Sequence, residues 1–107
     1  MKFDLDEVLA NMLGAAKDSL KDNWEFAKGT AVDFLQSRKE RIDLLTSLRL
    51  SNQLSEKFFL ARLQDEKKIF TSELHALAVI TKVMAQNAAN AAFTVLEKAV
   101  AAALGIK

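Results

Sequence analysis

Glu66 and Glu73 are the residues whose type and spacing come nearest to a chemical site. Seven positions apart, they share one face of a helix, and they interrupt the apolar series Phe59, Leu63, Phe70, Leu77 and Ile80. Carboxylates facing the interior of a helical bundle are the raw material of ferritin-like di-iron and di-manganese centres. Asp33 and Glu40 come within about a turn of them if the chain folds back at its middle, and His75 is the one imidazole available. These five residues are the metal-ligand candidates. The pattern departs from the bundle metal motif, however. That motif is Glu-x-x-His, which stacks both ligands on one face, whereas Glu73 and His75 are two apart and diverge by roughly 200°. Ion pairing at the bundle edge, with Lys28, Arg38 or Lys67 as counter-charge, accounts for the same glutamates more simply.

Other chemistry finds less support. The chain has no cysteine, which removes disulfides, thiolate metal sites and a thiol nucleophile together. No serine, threonine or lysine has a base partner at local spacing, and Gly14, Gly29 and Gly105 are too scattered to form a phosphate-cradling loop. The basic run Arg38-Lys39-Glu40-Arg41 is broken by Glu40 and lacks an aromatic platform, so it reads as a solvated helix face rather than a nucleic-acid contact. A non-enzymatic protein without a cofactor is the expectation.

The elements that must position these residues are helices. There is no proline and no window of sustained alternation, while Ala, Leu, Lys and Glu abound. Asp4 and Glu7 have capping-box spacing, with Phe3 and Val8 placed as a hydrophobic staple. Gly105 followed by Ile106 suits a left-handed helix stop. Leu5, Leu9, Met12, Ala16, Leu20, Trp24, Ala27, Ala31, Phe34, Ile42 and Leu45 recur in steps near the helical period, and Trp24 reads as a core anchor. The polar cluster Ser51-Asn52-Gln53, where Asn52 could cap a following helix, marks a turn near the midpoint.

An all-α fold follows: a long antiparallel hairpin forming a single domain over residues 1–107. Its first arm covers about 4–50, its turn about 51–53 and its second arm about 54–104. The arms would be roughly 70 and 78 Å long at about 1.5 Å per residue. Residue i then meets residue 103 minus i, pairing Phe34 with Ile69 and Phe70, Leu45 with Phe58 and Phe59, and Trp24 with Val79 and Ile80. A second break near Asp22-Asn23, where Asp22 and Glu25 repeat the capping-box spacing, gives three helices instead.

After Glu73 the only Lys, Arg, Asp or Glu residues are Lys82, Glu97, Lys98 and Lys107, and alanine dominates. Small side chains permit close helix approach. Since two bare arms cannot cover each other, a homodimer with a four-helix-bundle core is expected. Its contact surface is placed on Leu77, Ile80, Met84, Asn87, Ala88, Ala91 and Val95. Gln86, Asn87 and Asn90 either set the register of that assembly or face solvent beside Lys82.

Net charge is +1, which gives no drive toward nucleic acid or anionic lipid. The polar residues along Leu74–Leu96 argue against a membrane span. Lys2 followed by Asp4, Asp6 and Glu7 lacks the opening of a secretory leader, so the expected location is cytoplasmic. The leading functional expectation is a self-associating helical assembly protein. The alternatives are a ferritin-like metal protein and a small helical chaperone or secretion-type partner.

Overall fold

The computed structural model describes residues 3–105 and contains helices joined by turns, with no strand among those residues. The elements are α1 (Leu5–Leu20), one tight 3₁₀ turn (Lys21–Asn23), α2 (Trp24–Ser37), α3 (Lys39–Leu50), α4 (Glu56–His75) and α5 (Lys82–Ala103). Helices α2 and α3 form one rod with a loosened joint at Arg38. Hydrogen bonds from Arg38 N to Phe34 O (3.0 Å) and from Ile42 N to Arg38 O (2.9 Å) carry the helical ladder through it. The Ser37 hydroxyl donates back to Phe34 O at 3.0 Å, a side-chain intrusion of the kind that bends helices.

The long hairpin is not what forms. Both arms break and fold on themselves, giving four rods in a bundle 41 × 24 × 22 Å, well short of the expected arm length. Consecutive rods run antiparallel. Lys39 reaches Asp6 between the α2–α3 rod and α1, Phe34 meets Phe70 between α2 and α4, and Lys67 reaches Glu97 between α4 and α5. The ring closes where α5 returns along α1, the most extensive helix pairing in the molecule.

The first break lies where the sequence offers one, beside Asp22-Asn23, but the capping box there is not made. Asn23 precedes α2 without a side-chain cap, and the chain turns instead at Lys21, whose φ is +52°. The second break, Ala76–Thr81, corrects the expectation of one continuous second arm. Val79, Ile80 and Thr81 are all β-branched and lose side-chain freedom in a helix. Thr81 then caps α5, its hydroxyl accepting from Met84 N at 3.1 Å. At the central turn Ser55 caps α4 through Phe58 N (3.3 Å), in place of Asn52, which sits at φ +64° in the reversal itself. Both chain ends agree with the sequence. Asp4 accepts from Glu7 N at 3.3 Å, and Gly105 has φ +76°, while Ile106 lies outside the described residues.

The stripe read through Leu77 and Ile80 runs on to Met84, Ala88, Ala91 and Val95, with Ala92, Leu96 and Val100 beside it. The buried face of α5 is turned a little from it: Ala85, Ala88, Ala89, Ala92, Phe93, Leu96 and Val100 enter the core, and Met84, Ala91 and Val95 lie at its edge. Phe93 therefore joins Phe34 and Phe70 at the centre. Phe34 stacks on Phe70 at 4.4 Å between centroids and 9° between planes, and it meets Phe93 edge-on at 6.4 Å and 70°. Each such pair contributes roughly 0.5–1.5 kcal/mol beyond its burial.

Candidate functional site

Glu66 is the one charged residue buried among the described residues, at 1% exposure. The α4 stripe that buries Phe59, Leu63, Phe70 and Leu74 carries it inward, as its spacing requires. Opposite stands the α2–α3 joint. Arg38 donates from Nε to Glu66 Oε2 and from Nη2 to Glu66 Oε1, both at 2.8 Å, the parallel fork that guanidinium and carboxylate form best. Arg41 Nε approaches Glu66 Oε1 at 3.1 Å from the next turn. The hydrogen bonds to Glu66 hold Arg38 more firmly protonated than an ordinary arginine, against the opposing effect of burial; the charges of Glu66 and Glu73 add to it.

This arrangement realises the ion-pair reading of Glu66, with Arg38 as the counter-charge. Both carboxylate oxygens are occupied and the charge is over-compensated by two guanidinium groups, so the cluster is built to hold two rods in register. Glu73, His75, Asp33 and Glu40 are all exposed, and of these Glu73 is near enough for its charge to act on Arg38. No group of three or more His, Asp or Glu side chains with metal-binding geometry occurs among the described residues.

The residues expected on an oligomer contact are divided by the fold. Ile80 (2% exposed) and Ala88 (0%) lie inside the single chain's own core. Leu77, Met84, Ala91 and Val95 are half-buried, and Asn87 is exposed. Gln86, Asn87 and Asn90 face solvent beside Lys82, the second of the two readings offered for them. With Gln64, Lys67 and Thr71 of α4 they line an open polar groove of about 680 Å³.

Large apolar side chains remain uncovered. Phe26 (63%), Leu44 (58%), Phe58 (57%) and Ile69 (37%) are the most exposed on α2, α3 and α4 apart from Leu60. Sequence reading did not single them out, but a signal was present: each stands one residue before a core position (Ala27, Leu45, Phe59 and Phe70), so each flanks the buried stripe on the same side. Among the described residues no helix is long and apolar enough to cross a membrane. No protein-family model, curated protein or solved structure matches the chain.

Proposed function

We propose that the protein is a non-enzymatic helical interaction module that works by self-association. One observation carries this reading: the chain covers its own core and neutralises its own buried charge, yet leaves Phe26, Leu44 and Phe58 more than half exposed. Aromatic and aliphatic residues gathered on a surface, among polar neighbours, mark association sites in soluble proteins. Self-association then rests on the exposed side of α2, α3 and α4 rather than on the alanine-rich arm. Four rods from one chain satisfy the apolar stripe that two bare arms would have left open, so assembly depends on what the closed bundle still exposes.

Sedimentation equilibrium of the purified chain tests this. A reversible dimer at micromolar concentration supports the reading, and a well-folded monomer at every accessible concentration removes it.

A further inference from the structure

The groove between α4 and α5 has a lining of one chemical kind. Of its nine residues three are lysines (Lys67, Lys68 and Lys82), four are amides, and Thr71 and Ser72 supply hydroxyls. Every one of these side chains can donate a hydrogen bond, and none is a carboxylate. The chain as a whole is balanced, with 15 basic and 14 acidic residues, so the exclusion of acid from this surface is local. Glu97 reaches Lys67 at 3.6 Å from beyond the lining, and Asp65, on the neighbouring row of α4, stands 4.0 Å from Arg62. Lys68 and Lys82 pair with no carboxylate among the described residues. With Lys67 offset by Glu97, those two lysines leave the groove positively charged.

Folding does not account for these residues. Lys82 opens α5, where a cation opposes the helix dipole. Asn87 and Asn90 are exposed in the interior of α5, where asparagine is a poor helix former beside the surrounding alanines. None of the groove amides makes a hydrogen bond within the described protein, so they neither cap a helix nor tie α4 to α5.

We infer that the α4–α5 groove binds a linear polyphosphate. The lined stretches, 64–72 on α4 and 82–90 on α5, each cover about 12 Å of helix, more than one phosphate fills. Lysines stand on both walls, so a phosphate chain lying along the groove meets charge from α4 and α5 together. The amides and hydroxyls donate to the oxygens between, and hydrogen bonds to such an anion are stronger than those between neutral groups. No aromatic side chain lines the groove, so a nucleobase has no platform to stack on. No aliphatic residue lines it either, which leaves a lipid tail without contact. Phe26 and Leu44 lie on the other rod, so binding here does not require self-association.

Isothermal titration calorimetry at low ionic strength tests the site, with orthophosphate, tripolyphosphate and long-chain polyphosphate as probes and circular dichroism to confirm folding. Affinity is expected to rise at least about tenfold from orthophosphate to tripolyphosphate, and again to the long chain. Lys68→Gln/Lys82→Gln should weaken tripolyphosphate binding about tenfold. Lys57→Gln/Lys98→Gln removes the same charge from exposed positions outside the groove and should change binding less than about twofold. Asn87→Ala/Asn90→Ala should weaken binding about threefold while raising the thermal midpoint, because alanine is the better helix former. Absence of measurable binding of long-chain polyphosphate overturns the proposal. Equal losses in the two lysine pairs also overturn it, since they reduce the effect to net charge. A single-stranded oligonucleotide of matched charge that binds as tightly makes a nucleic-acid backbone the occupant and overturns the choice of polyphosphate.

Discussion

The seams α1–α5 and α2/α3–α4 hold the same bundle together by opposite means. Between α1 and α5 the side chains are small. Ala16, Ala85, Ala88, Ala89 and Ala92 are fully buried, and the backbones approach closely over most of the length of α1. Between the α2–α3 rod and α4 the side chains are large or charged: the Phe34–Phe70 stack, then the Arg38–Glu66–Arg41 cluster, with Phe26, Leu44, Phe58 and Ile69 outside. An alanine seam tolerates no added bulk. An aromatic and ionic seam fixes register through directional contacts and leaves a patterned surface. Small-residue packing and directional contacts thus fall on different sides of one small domain.

Introducing charge into the small-residue seam should have the largest effect. Ala92→Glu places an unpaired carboxylate at a fully buried position and is expected to cost more than about 4 kcal/mol, read as loss of cooperative thermal unfolding. Retention of a sharp transition within a few degrees of the parent would contradict close packing of α5 on α1. In the other seam, Arg38→Met leaves Glu66 buried with Arg41 alone and should cost about 3 kcal/mol in denaturant titration. The double variant Arg38→Met/Glu66→Leu should recover most of that loss, since removing both charges of a buried pair is often neutral. A double variant as unstable as the single one would show that the ion pair is more than a register device.

The alanine seam was the harder of the two to read in the sequence. Phe34 opposite Phe70 followed from the antiparallel register, and Glu66 opposite Arg38 was one of the pairings its place on the apolar stripe suggested. The burial of Phe93 did not follow. Alanine is both the best helix former and a small apolar residue, so a run of it hides the phase of a helix and any break in it. Val79-Ile80-Thr81 was the available signal, a β-branched cluster without glycine or proline to draw attention to it. Once the turn there is missed, the inward face of α5 is taken too far toward Met84, Ala91 and Val95, and two arms need a partner chain to complete the core.

Two smaller changes sharpen the picture by relieving local conflicts. The Thr46 hydroxyl on α3 is buried without a hydrogen-bond partner, so Thr46→Val should raise stability by about 1 kcal/mol in denaturant titration. Lys21 holds φ +52° where α1 ends, a conformation that glycine adopts without a Cβ clash. Lys21→Gly should therefore raise stability by up to about 1 kcal/mol, and a loss there would contradict that geometry.

The central claim is that copies of the chain meet through the α2/α3–α4 face rather than through the alanine-rich arm. Because the sequence contains no cysteine, a single spin label can be placed at will and pair distances measured between copies. Ser37→Cys puts the label on the exposed side of the α2–α3 rod, and Lys98→Cys puts it on the exposed side of α5. The account predicts a pair distance for Ser37→Cys shorter than the bundle's 22 Å width and one for Lys98→Cys longer than that width. A short distance at position 98 together with a long one at position 37 would contradict it.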